Sequence, residues 1–167
     1  MKRAFTLVEI LVAVVVVMVI SSGALIYLNN FNSRQKLDKS KDEVVSAIQL
    51  AQSYAKGRQL PIGSTETELK YVRLGVSTDG YMIARANGDA IDPYYYKNLV
   101  NDGEITVSIA VPPIYFWAGG RLSDSSGTMF GVNQTATVNI VNNGQSGGSY
   151  QITINSLGQV SEVKYIE

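Results

Sequence analysis

The sequence predicts an α+β fold: one long amino-terminal helix followed by a mainly antiparallel β body. Two observations carry this expectation. No proline occurs before Pro61, and that stretch holds first an apolar run and then an apolar stripe of helical period. Beyond it the chain breaks into short alternating segments separated by Gly, Pro, Asn and Asp.

The helix reads as two halves. Lys2 and Arg3 precede the apolar run, and Glu9 is the single carboxylate near its start. Residues 10–28 carry no charge. About 19 residues rising 1.5 Å each cover roughly 28 Å, close to the hydrocarbon core of a bilayer. A lone acid in such a segment costs about 2.5–3.5 kcal/mol, so something must compensate for Glu9. Further on, Leu37, Val44, Ile48, Ala51 and Ala55 fall on one helical face, with lysines and acids elsewhere. The helix is expected from about Phe5 to Lys56, with Ser21-Ser22-Gly23 as the place to bend or loosen. Gly57 followed by Pro61 is the expected stop.

Seven or eight short strands are expected after residue 58. Residues 69–77 and 81–86 flank Thr78-Asp79-Gly80, a hairpin signal. Residues 105–111 alternate up to Pro112-Pro113, and 114–117 are apolar before Gly119-Gly120. Residues 136–141 and 150–154 flank a longer loop, and 160–166 form the last strand after Gly158. A sheet built this way packs on the helix's apolar stripe.

Composition narrows the function. Among 167 residues, 14 lysines and arginines balance 14 aspartates and glutamates, so nothing global favours nucleic acid. The absence of cysteine removes disulfides and thiolate metal sites. The absence of histidine removes the usual general base and the commonest zinc ligand. Enzyme readings are disfavoured, and no cofactor or metal is expected.

For the apolar segment, three ordinary readings compete. A secretory signal peptide could be cut near Ser21-Ser22-Gly23-Ala24, but its apolar core is usually about 7–15 residues and free of carboxylates. A plain single-span anchor and a buried core helix are the others, and the length disfavours the last. The arrangement Lys2-Arg3-Ala4-Phe5-Thr6-Leu7-Val8-Glu9 followed by an apolar helix resembles the class III signal of type IV pilins and pseudopilins. Ala4 stands where that family usually has Gly. The resemblance implies a type IV pilin-like fold and cleavage between Ala4 and Phe5 by prepilin peptidase, with methylation of the new Phe5 amino group. It makes Glu9 the assembly residue, paired with the Phe5 amino group of a neighbouring subunit.

Three body segments are similar to those of H-type minor pseudopilins and related minor pilins: the helix end at 51–58, the aromatic run before a glycine turn at 114–120, and the closing stretch at 152–160. The resemblance thus implies a minor pilin or pseudopilin, a structural subunit of a type IV pilus or a type II secretion pseudopilus. A major pilin, or a pilus-tip subunit for DNA uptake or adhesion, is the alternative. The implied partners are other pilin subunits, prepilin peptidase, an inner-membrane assembly platform and, before assembly, membrane lipid. The implied organisation is a leader at 1–4, a transmembrane and assembly helix at 5–30, an amphipathic helix at 31–57 and a β-rich body at 58–167. The body would stand outside the cytoplasm, on a single-pass inner-membrane precursor and later on a filament. A count of flanking cations points the other way, since Arg34, Lys36, Lys39 and Lys41 follow the span. Asp38, Asp42 and Glu43 among them mark a solvated helix surface, and the motif decides the orientation.

Elsewhere the chemistry is sparse. The acidic loops at 87–92 and 101–104 offer oxygen ligands but lack EF-hand spacing, and read as solvated turns. Tyr94-Tyr95-Tyr96 with Lys97, and Tyr115-Phe116-Trp117 with Arg121, mix aromatics with cations. They read as core and subunit packing, and nucleic acid is disfavoured as a partner. Residues 144–148 form a hairpin loop with no strand-to-helix context for phosphate.

Overall fold

The computed structural model describes residues 6–65, 67–87, 94–100, 103–110, 113–144 and 147–167. Among the described residues one helix leads and nine strands follow. Helix α1 spans Leu7–Gly57, 51 residues, or about 77 Å. The strands are β1 (Tyr71–Val76), β2 (Tyr81–Ala86), β3 (Tyr94–Leu99), β4 (Ile105–Ile109), β5 (Ile114–Trp117), β6 (Leu122–Ser123), β7 (Ala136–Asn142), β8 (Ser149–Ile154) and β9 (Val160–Ile166). They form a five-stranded sheet in the order β3-β2-β1-β5-β6 and a four-stranded sheet in the order β4-β7-β8-β9. Neighbouring strands pair antiparallel throughout. This is the expected α+β arrangement, a long helix packed on antiparallel sheet, as in type IV pilin-like folds.

The two sheets share one core with the second half of α1. Leu37, Val44, Ile48, Ala51 and Ala55 are all buried, as their spacing requires, and Ala47 joins them. Against them pack Val72, Leu74, Met82, Phe116 and Leu122 from the first sheet and Val107, Val138, Ile140, Ile152 and Ile154 from the second. Burial alternates along β1, β2, β4 and β7, so each of these strands turns one face inward. The β1–β2 hairpin closes as the sequence predicts. Ser77 N–H donates to Tyr81 O at 2.8 Å, and Gly80, at φ 79°, takes the left-handed position of the turn.

Several expectations change. The helix stops one residue later than Gly57 implied: Gly57 is its last residue, and Arg58 takes the left-handed cap at φ 50°. The cap holds because the Arg58 and Gln59 N–H groups donate to Ala55 O and Tyr54 O. At Ser21-Ser22-Gly23, the expected place to bend or loosen, α1 continues as helix, and the Ser22 hydroxyl donates to Val19 O at 2.8 Å. The expected strand at 105–111 ends at Ile109, Val111 lying outside the described residues. Strands β3 and β6 were not anticipated. β3 follows a proline and opens with three tyrosines, which show no period-2 alternation. β6 is only two residues long.

Candidate assembly site on the amino-terminal helix

The first turn of α1 is built by a local hydrogen bond. Thr6 is the N-cap, with extended backbone at φ −76° and ψ 150°, and its hydroxyl accepts from the Glu9 N–H at 3.3 Å. Thr6 and Glu9 have the Thr-x-x-Glu spacing of a capping box, a signal present in the sequence and missed there. Glu9 therefore sits in the first turn, where the positive end of the helix dipole favours a carboxylate. Ala4 and Phe5, the expected cleavage pair, lie outside the described residues.

From Glu9 onward the helix stands clear of the body. Ile10, Leu11, Val14, Val15, Val17, Met18 and Ile20 are exposed, in a run that would be buried in any soluble core. Among the described residues α1 is the one helix long and apolar enough to cross a membrane, and its most apolar window is wholly unburied. Such a surface needs lipid or other helices around it.

The body takes hold of α1 at Ser33, the first buried residue along it among the described ones. The Ser33 hydroxyl donates to one carboxylate oxygen of Glu104, and the Lys36 ammonium lies 2.6 Å from the other. Glu104, expected in a solvated acidic turn, instead ties the helix to the start of β4. The rest of the acidic loops at 88–92 and 101–102 lies outside the described residues. Further along, Asp38 accepts a 2.7 Å hydrogen bond from the Tyr150 hydroxyl.

At the far end of α1, three segments meet. Buried Gln52 donates through Nε2 to Leu157 O at 2.8 Å, and Gly119 N–H donates to Ala55 O at 3.0 Å. The Gly158 backbone lies against the Gly120 carbonyl so closely that a Cβ at 158 would overlap it. These are the helix end, the aromatic–glycine turn and the closing stretch noted in the sequence, brought together around one buried amide. The aromatic runs divide between core and surface. Phe116 is fully buried, and Tyr95 stacks on Tyr54 with ring centres 4.2 Å apart. Trp117 stacks on Tyr71, while Arg121 is exposed and its carbonyl accepts from the Trp117 N–H at 2.8 Å.

Residues 1–25 match the prokaryotic N-terminal methylation motif. The chain carries the type IV pilin and pseudopilin signature. No curated protein and no solved structure matches it. The signature covers the basic leader in the sequence, the Thr6 cap, Glu9 and most of the exposed apolar turns of α1. It supports a type IV pilin or pseudopilin precursor. It implies assembly with other pilins and processing by prepilin peptidase, and fits membrane anchoring followed by a place in a filament.

Proposed function

We propose that this chain is a minor pilin or pseudopilin of a type IV pilus or a type II secretion pseudopilus. Residues 1–4 are the leader, cut between Ala4 and Phe5. Residues 5–30 are the membrane and assembly segment, 31–57 the amphipathic part of the helix, and 58–167 the displayed body. Before assembly the chain spans the inner membrane once with its body outside the cytoplasm, and an assembly platform there extracts it. After cleavage, the methylated Phe5 amino group of one subunit pairs with Glu9 of its neighbour. That pairing removes the cost of a lone buried carboxylate and sets the axial register between subunits.

The observation that carries this reading is the junction of the methylation motif with helix turns that are apolar and unburied, continuous with a half that the body grips. The three body segments that converge at Gln52 support a minor rather than a major subunit. Mass spectrometry of the mature amino terminus is the direct test. A chain starting at methylated Phe5 is expected, and one starting at Ala24 would overturn the reading in favour of a secretory signal. For Glu9, the comparison is filament incorporation of Glu9→Gln and Glu9→Val. Both are expected to be lost or severely reduced, and normal incorporation of both removes the pairing role.

A further inference from the structure

The four-stranded sheet ends in β9, and among the described residues no strand pairs with its outer edge. Residues 161–166 are exposed along both faces of that strand. In the β8–β9 ladder Val163 lies opposite Ile152, and Tyr165 opposite Tyr150. Ile152 is buried in the shared core, so Val163 and Tyr165 turn the same way, yet they remain 42% and 39% exposed. Glu162, Lys164 and Ile166 alternate onto the outer face. Among the described residues neither Glu162 nor Lys164 has an ion-pair partner.

An open edge invites another strand, and proteins commonly block it with a lysine or a bulge. β9 has both, its register shifting between Val160 and Glu162. Against a second β9, however, the lysine attracts. Set antiparallel to itself about Val163, the strand brings Glu162 opposite Lys164 twice, Val163 opposite Val163, and Ser161 opposite Tyr165. Centred on Glu162 or on Lys164 instead, it would oppose two like charges, which destabilises a ladder. An offset of one residue would set the core-facing side of one copy against the outer side of the other. Charge and face together admit one register, and the bulge limits it to residues 161–165. We propose that β9 pairs edge to edge with β9 of a second copy, about a two-fold axis through Val163. The two four-stranded sheets then join into one continuous sheet.

That axis stands normal to the sheet, so it reverses whatever runs along the strands. Helix α1 does so: Asp38 meets Tyr150 beside the end of β9, and Gln52 meets Leu157 just before its start. Paired copies therefore point their apolar helix halves in opposite directions. Neighbours in one membrane or one filament share a direction and cannot pair this way, whereas subunits on two facing filaments can. This last step rests on the filament reading given above; the pairing itself does not. A contact of one short strand from each copy is far smaller than a stable interface, so the dilute chain stays a monomer and the pair forms where copies are crowded.

The chain has no cysteine, so introduced thiols report the contact without background. Val163→Cys in the full chain, concentrated in detergent and mildly oxidised, is expected to form a disulfide dimer about tenfold faster than Val132→Cys. Val132 is the control because it is 89% exposed on a loop away from β9. Added to Val163→Cys, Glu162→Lys and Lys164→Glu are each expected to slow linking about fivefold, since each sets like charges opposite. Mixing those two chains should restore the rate as mixed dimers, and a chain carrying both exchanges should link to itself at the parent rate. Melting curves establish that each variant folds, and the doubly exchanged chain serves if a single one does not. The proposal fails if Val163→Cys links no faster than Val132→Cys, or if the charge variants link alone as fast as they do when mixed. Faster linking of Val163→Cys to Ser108→Cys on β4 than to itself would replace the two-fold pair by a stack of like-oriented copies. Opposed orientation is read by mixing cells whose Val163→Cys subunits carry two different tags. Mixed-tag dimers are expected; same-tag dimers alone would place the contact within one filament and overturn it. A mature chain starting at Ala24 would remove the filaments and leave the dimer in detergent, so the two readings fail separately.

Discussion

Single residues at the end of the helix carry loads that their types do not announce. Gly158 sits at φ 77° with the Gly120 carbonyl where a side chain would begin. Gly158→Ala adds both backbone strain and a clash with backbone, so a loss of about 3 kcal/mol or more is expected in chemical denaturation. Arg58 is the opposite case, a side chain held in the left-handed region where glycine is favoured. Arg58→Gly is expected to stabilise the body by about 1 kcal/mol, since it relieves that strain in an exposed cap. The sequence made half of this legible. A glycine near 57 and a proline at 61 announced the helix stop, but the register of the cap follows from where Tyr54 and Ala55 place their carbonyls. Those positions are fixed by the buried stripe. Thr6 was legible through its spacing to Glu9. Gln52 was not, because the carbonyl it serves comes from Leu157, 105 positions away.

At the scale of elements, what the sequence conveyed well was local periodicity, and what it hid was partnership across the chain. The stripe from Leu37 to Ala55 and the β1–β2 hairpin rest on neighbours within a few residues. The grip of β4 and β8 on the helix rests on Glu104 and Tyr150, whose partners Lys36 and Asp38 lie far away in sequence. The Tyr150 phenol is pushed up to about 12 from an ordinary 10.0, first by its hydrogen bond to Asp38 and then by burial. A raised phenol stabilises the fold while neutral. Its contribution is whole below pH 10 and is lost as pH rises towards 12. Tyr95 behaves alike, pushed up to about 12 by burial first and by Tyr54 second. Denaturation midpoints are therefore expected to fall between pH 10 and 12, and to fall less in Tyr150→Phe; an equal fall in both would remove Asp38 from the account. Glu104→Gln weakens the neighbouring contact. Because Lys36 is half exposed, the expected loss is only about 0.5–1 kcal/mol. Faster amide exchange confined to α1 around Ser33–Leu37 is the sensitive readout.

At the scale of the molecule, the helix belongs to two solvents. Its described side chains before Ser33 are exposed and mostly apolar, whereas those from Ser33 onward alternate between solvent and a shared core. Stability of the body and the need for lipid should therefore separate at one point along a continuous helix. A chain shortened to begin at Asn29 keeps one turn ahead of Ser33 and loses the apolar run. It is expected to elute as a monomer without detergent, with an unfolding free energy within about 1 kcal/mol of the full chain in detergent, since the described side chains it removes are exposed. The measurement is size exclusion with a denaturant titration. Aggregation of the shortened chain, or a loss of several kcal/mol, would mean that the first half of α1 holds up the body as well as anchoring it. The helix runs without interruption from Leu7 through Ser33, so the truncation cuts within one element. Among the described residues the Glu104 contact to Ser33 and Lys36 marks where the body lets the helix go.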